Sequence, residues 1–156
     1  MTRQSFVLLI AVAAAAGCSS APPPPPFKPV ADLKQLMAHV VEPAADEYWD
    51  AVGWIDDAQG TVEIQPETQE EWDAVRNHAY AITESGNLMM LPTRAKDSDE
   101  WMRMSIALVE AGQRAIRAAE QKNKQAVFDT GAEVYEACTN CHAKYAVELE
   151  RPNVAK

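Results

Sequence analysis

An all-α fold, an antiparallel four-helix bundle, is what this sequence predicts, on three observations. From Val30 onward, four long stretches repeat their apolar residues at helical spacing. No stretch shows a convincing strand pattern. The connections are short enough to return each helix alongside its predecessor, which is the geometry of a bundle.

Before the first helix, the chain carries export signals. Arg3 gives a positive start, Phe6 to Ala16 is an apolar run, and Ala15, Ala16 and Gly17 are small residues ahead of Cys18. That order is a secretory signal over residues 1–17. The run is too short for a stable span, which needs about 20 residues. Ala15-Ala16-Gly17-Cys18 resembles a bacterial lipobox, which implies lipidation of Cys18 as the first mature residue; Ala15 stands where a lipobox more often has Leu. The other reading is cleavage near Ala16 or Ala21, releasing a soluble periplasmic protein. Residues 18–29 include Pro22 to Pro26 and Pro29, a semi-rigid extended spacer of about 3.1 Å per residue or a plain linker. Residues 30–156 form the helical domain.

The first helix is expected from Ala31 to about Trp54, with Leu33, Leu36, Met37, Val40, Val41 and Ala44 on one face and a kink at Pro43. A loop carrying Gly60 and Pro66 follows. Thr68 and Glu71 form a capping box for the second helix, which presents Trp72, Val75, Ala79 and Ile82 and stops before Pro92. The third starts at Asp97 or Ser98 and runs to about Gln121. Trp101, Met104, Leu108, Gly112, Ala115 and Ala119 line its inner face, with Arg103, Glu110, Arg114 and Arg117 opposite. Its many small inner residues, Ala107 and Ala111 among them, point to close helix packing.

The fourth helix begins after Asn123 and carries Cys138-Thr139-Asn140-Cys141-His142. Cys-x-x-Cys-His reads as a covalent c-type haem attachment site. Two thiols one helical turn apart can each add to a vinyl group of one porphyrin, and the adjoining imidazole then reaches the iron. A thioredoxin-like pair would need a βαβ setting, and a structural zinc site two further ligands; His39 and His78 stand alone. At about 100° per residue, Val127, Gly131, Val134, Cys138, Cys141, His142, Tyr145 and Leu149 share one stripe. The haem is therefore expected against the inside of the bundle.

A four-helix bundle whose single Cys-x-x-Cys-His lies on the last helix, with an aromatic residue, Tyr145, three positions after the His, resembles the class II cytochromes c. These comprise cytochromes c′ and their low-spin relatives. The resemblance covers roughly Val30 to Arg151; the late position of the motif is its discriminating feature, since class I cytochromes carry it near the N-terminus. It implies one haem c bound through Cys138 and Cys141, with His142 as the fifth iron ligand. It also implies that a first-helix residue decides the sixth position. Met37, central in that helix's apolar stripe, is similarly placed to the Met of the low-spin members. His39 lies about 200° away, toward solvent. Met89, Met90, Met102 and Met104 read as core or helix-end residues.

His/Met coordination raises a haem's reduction potential and leaves no open iron face. The expected function is a periplasmic single-haem electron carrier; the alternative is a five-coordinate, cytochrome c′-like binder of nitric oxide or carbon monoxide. A third possibility is a structural or assembly subunit. An enzyme is not expected, because the first-helix stripe offers no catalytic acid or base.

The net charge of −9 disfavours nucleic acid and anionic lipid surfaces. Membrane association is expected only through a lipid on Cys18. Between Glu42 and Asp73 stand eleven acidic residues and no Lys or Arg, either a solvated face or a docking surface for a basic redox partner. The family resemblance allows a homodimer through the first two helices, which this acid density opposes. Arg76, Arg103 and Arg114 are the candidate propionate partners. Trp49, Trp54, Trp72 and Trp101 read as core or rim residues.

Overall fold

Helices dominate the computed structural model, which describes residues 27–146, and one two-stranded sheet accompanies them. The signal segment, Cys18, Pro22 to Pro26 and Leu149 lie outside the described residues. No described helix is long and apolar enough to cross a membrane.

The first predicted helix is three successive segments: α1 (Leu33–Leu36), a π-helical turn (Met37–Val41) and α2 (Glu42–Trp49). Asp32 and Gln35 form a reciprocal capping box that starts it. Pro43, expected to kink the helix, instead follows the π turn. Proline has no N–H and its ring crowds the carbonyl four residues back. Widening the preceding turn, so that the Glu42 N–H reaches the Met37 carbonyl, relieves that crowding. The extra residue shifts the inward phase. Leu36, Val41, Ala44 and Tyr48 are buried, whereas Val40, expected inside, is exposed.

The helix ends at Trp49, short of the expected Trp54, and the stretch expected as a loop is a β-hairpin. Strand β1 (Gly53–Asp57) pairs antiparallel with β2 (Gly60–Ile64), in the register Trp54 to Glu63 and Ile55 to Val62. The Asp57 carboxylate accepts from the Gln59 and Gly60 N–H groups, and Gly60 takes φ +131°, which only glycine adopts without strain. Trp54 packs edge-on against Phe128, and Glu63 pairs with Lys124.

Helix α3 (Gln69–Met89) opens on the predicted Thr68–Glu71 capping box. Helix α4 (Glu100–Glu120) starts slightly later than expected, because Asp97 lies outside it and caps from there, accepting from the Trp101 N–H at 2.8 Å. Helix α5 (Lys124–Tyr145) begins where predicted, capped by Asn123. The small residues of α4 serve close packing. A Cβ added at Gly112 would lie 3.0 Å from the Thr83 Cα, and one added at Gly86 would lie 2.9 Å from the Ser105 carbonyl oxygen. Glycine at both positions lets α3 and α4 approach backbone to backbone.

Successive contacts along neighbouring helices run in opposite sequence directions. On α4, Trp101, Ser105 and Gly112 meet Met89, Gly86 and Thr83 of α3. Trp101 and Arg114 of α4 meet Tyr145 and Glu133 of α5. Tyr48 ties α2 to α4 and α5: its buried hydroxyl lies 2.8 Å from Thr130 Oγ1 and 3.4 Å from the Ala115 carbonyl. Thr130 spends its own proton on the Ala126 carbonyl at 2.6 Å, so the phenol donates. Burial pushes the Tyr48 phenol up to about 12, which keeps that donor protonated.

Candidate haem-attachment site

The Cys-x-x-Cys-His motif occupies the last two turns of α5. Its three side chains differ in environment. Cys141 is buried, Cys138 is half-buried, and His142 is exposed. The expectation that all three share the buried stripe therefore holds for Cys141, partly for Cys138, and fails for His142. The wheel places the histidine on the stripe's flank, and near the end of α5 that flank faces outward.

Both cysteines are free thiols. Burial, and secondarily Cys141, pushes the Cys138 thiol up to about 11, and burial raises the Cys141 thiol too. The helix setting acts in the same direction. A reactive redox pair gains from a helix N-terminus, whose positive end favours thiolate. This pair sits near the C-terminal end, where the dipole has the opposite sign. The arrangement disfavours the thiolate and so suits disulfide exchange poorly.

Among the described residues, no three His, Cys, Asp or Glu side chains converge to hold a metal ion. A structural zinc reading of the two cysteines thus finds no further ligands there.

Around the motif, the structure is firmly tied. The Tyr145 hydroxyl donates to Asp97 Oδ2, and its ring meets the Trp101 indole edge-on at 5.0 Å between centroids. Trp101 is buried, and its Nε1 donates to the Met89 carbonyl at 2.9 Å. The bond from Tyr145, with that from the Trp101 backbone, holds the Asp97 carboxyl below the usual aspartate range. Ser105 lies one turn beyond Trp101 on α4, and its buried hydroxyl has no hydrogen-bond partner among the described residues. Such a group costs about 1–3 kcal/mol.

Met37, the expected sixth ligand, is the first residue of the π-helical turn and packs, half-buried, at the edge of the core. π turns occur often at functional sites. The turn itself packs chiefly against α3. His39 is exposed, as expected. Of the other methionines, Met89 is buried and Met90, Met102 and Met104 are half-buried.

The three arginines proposed for propionates are all engaged: Arg76 with Asp73, Arg103 with Glu100, and Arg114 with Glu133. Sequence reasoning passed over Arg94, which is only 7 % exposed. The sequence offered little signal for it, since Arg94 and Lys96 are both cations in the connection that returns the chain from α3 to α4. Ser105 had no signal beyond its place in the inner stripe.

Two surface clefts lie away from the motif. One joins Glu47, Asp50 and Glu71 to His78; the other, of about 260 Å³, is lined by Trp49, Val52, Phe128 and Tyr135. The second borders the bond from Trp49 Nε1 to the Gly131 carbonyl at 2.9 Å. Comparison with protein families, curated proteins and solved structures finds no match to this chain.

Proposed function

We propose that this protein is an exported, single-haem c-type electron carrier, an antiparallel four-helix bundle with haem bound covalently through Cys138 and Cys141. His142 and Met37 are its axial ligands. One observation carries the reading. Tyr48 meets Thr130, and Met37 precedes Tyr48 by as many residues as Cys141 follows Thr130, eleven in each case. The opposed contacts along α2, α3, α4 and α5 support an antiparallel arrangement, in which Met37 and Cys141 fall at one height. The raised thiols and the position of the motif near the end of α5 argue against a redox-exchange pair.

A bound haem supplies the one-electron iron couple. The chain's residues do the rest. Cys138 and Cys141 would hold the group covalently, each thiol supplying one thioether link. His142 and Met37 would ligate the iron and so would keep substrate from it. Leu36 and Val41 beside Met37 keep water away from that face. A neutral thioether favours the ferrous state, so the couple is held at a comparatively high potential.

The export reading follows from residues 1–17, with a lipid on Cys18 as the only membrane attachment. The acidic stretch from Glu42 to Asp73 is proposed as the surface that steers a basic redox partner. Electron exchange with such a partner slows as salt rises, because exposed charges are screened beyond about 10 Å at 0.1 M. Persistent membrane fractionation of Cys18→Ser would remove the lipid anchor from this account.

A second reading, a five-coordinate binder of nitric oxide or carbon monoxide, is favoured by the packing of the π turn chiefly on α3 and not on α5. Visible and near-infrared spectra of the oxidised and reduced holoprotein, with and without carbon monoxide, separate the two. A low-spin spectrum with a thioether-to-iron band and no response to the gas is expected. A high-spin spectrum that shifts on gas addition would make Met37 a core residue and open the iron.

A further inference from the structure

Arg94 sits in the connection between α3 and α4 and is buried like a core residue. Its Nε and Nη2 both donate to the Ala31 carbonyl, at 3.1 and 2.8 Å, and Nη1 donates to the Leu88 carbonyl at 3.1 Å. Three of the five guanidinium N–H groups are thus used, all on neutral oxygens. The ion pairs among the described residues engage Arg76, Arg103, Arg114 and Lys124, and none involves Arg94. A charge taken out of water is ordinarily matched by an opposite charge, because desolvation is costly and carbonyl dipoles offset only part of it. Two N–H groups, one on each of Nη1 and Nη2, and one positive charge therefore remain for a carboxylate.

The location identifies the carboxylate. Leu88, which accepts from Arg94, adjoins Met89, which accepts from the Trp101 indole; Trp101 carries the Tyr145 ring, and Tyr145 is one turn from Cys141 and His142. The other anchor, Ala31, lies at the start of the segment that carries Met37. Arg94 thus joins the beginning of the first helix to the end of α3, at the end of the molecule where the motif lies. Arg76, Arg103 and Arg114 already hold carboxylates of their own.

Resting on the haem reading above, we infer that Arg94 receives a haem propionate through its two remaining N–H groups. The guanidinium then has two duties: its carbonyl bonds hold the α3–α4 connection to the first helix, and its charge neutralises a carboxylate at the porphyrin edge. Arg is suited to both, since its planar fork binds carboxylates bidentately and it stays charged when buried. Neutralising an anion near the iron disfavours the ferric state, so Arg94 also raises the reduction potential.

The test uses holoprotein made with haem carrying ¹³C at its propionate carboxyls, as wild type, Arg94→Lys and Arg94→Gln. Redox-difference infrared spectra read the labelled carboxylate directly, and midpoint potentials are measured at one neutral pH. In Arg94→Gln, a shift of the labelled band and a fall in midpoint potential are expected. Arg94→Lys should retain most of the potential while shifting the band, because charge is kept and the fork is lost. If Arg94→Gln melts at a lower temperature but leaves band and potential unchanged, Arg94 is a structural strap and the inference is overturned. It is also overturned if Glu148→Gln or Glu150→Gln, with Arg94 intact, reproduces the drop in potential without moving the band, since the partner is then the chain's own tail. If Arg94→Gln does not fold, the band in Arg94→Lys decides alone. Wild-type protein without covalent haem, seen by intact mass, would refute the functional reading itself and is distinguishable from either result.

Discussion

The end of the molecule that carries Cys138 to His142 and the end that carries the hairpin are built by different means. At the first, Trp101 is buried, its N–H is bonded, Tyr145 packs on it, and Arg94 straps the α3–α4 connection to Ala31. At the second, Trp54 remains 51 % exposed against Phe128, the Ile55–Val62 pair faces solvent, and Glu63 meets Lys124 at the surface. Buried aromatic packing is worth several kcal/mol, whereas an exposed ion pair contributes about 0–1 kcal/mol. The lesson is that tight packing is concentrated at the end that carries the Cys-x-x-Cys-His motif. The hairpin end, with its dense acids, is held more loosely.

Substitution of the two tryptophans sets the comparison in its sharpest form. Trp101→Ala should lower unfolding free energy by about 3–5 kcal/mol, as for other buried aromatic truncations. Trp54→Ala, removing a half-exposed ring, should cost about 1 kcal/mol or less. Denaturant titrations of both variants measure this directly, and equal costs would erase the distinction between the ends.

Between the ends stands Tyr48. Tyr48→Phe deletes a buried donor whose acceptor, Thr130 Oγ1, keeps its own bonds, so a loss of about 1 kcal/mol is expected in the same titrations. A loss as large as that of Trp101→Ala would mean that the Tyr48 junction, and not the motif end, is where the fold is most firmly held.

A gain is expected at the hairpin end. Lys122 follows α4 with φ 51°, a left-handed conformation that glycine adopts without penalty, while its N–H bonds to the Ala119 carbonyl. Lys122→Gly should stabilise the protein by about 0.5–1 kcal/mol, seen as a raised melting temperature. A decrease would show that the bond from Lys122 Nζ to Gln69 outweighs the backbone strain.

The smallest effect expected is in the pH dependence of stability at the motif end. Asp97 is held below its ordinary value chiefly by the Tyr145 hydroxyl. A depressed folded-state value means stability that is present above the unfolded aspartate value, about 3.9, and lost as pH falls through the lower folded one. Tyr145→Phe should therefore lower stability above about pH 4 and flatten the decline below it, so that the two proteins converge in acid. An unchanged acid limb would assign the lowering of Asp97 to the Trp101 backbone bond alone.

Much of this architecture was legible in the chain. The Thr68–Glu71 box, Asn123 as a helix start, and the inner stripe of α4 each follow from local chemistry that packing did not overrule. The hairpin was missed because Ala58-Gln59 lacks the Asn-Gly or Asp-Gly turn that announces one, although Thr61-Val62-Glu63-Ile64 alternates as a strand would. The exposure of His142 could not be read from a helical wheel, which gives an angle but not where neighbouring helices stop. Arg94 was hidden for a related reason: a cation in a connection looks solvated until the Ala31 carbonyl, 63 residues away, is brought to it by the fold.

The π turn at Met37–Val41 has a consequence for how this segment can change. It is one residue inserted into an otherwise regular helix, trapped between the Asp32 cap and the Tyr48 junction. Deleting a single residue there would restore an uninterrupted α-helix and rotate everything before it by about 100° relative to Tyr48. The orientation of Met37 toward its neighbours is therefore governed by chain length as much as by side-chain identity. A loss or gain of one codon would redirect that thioether without any substitution at position 37.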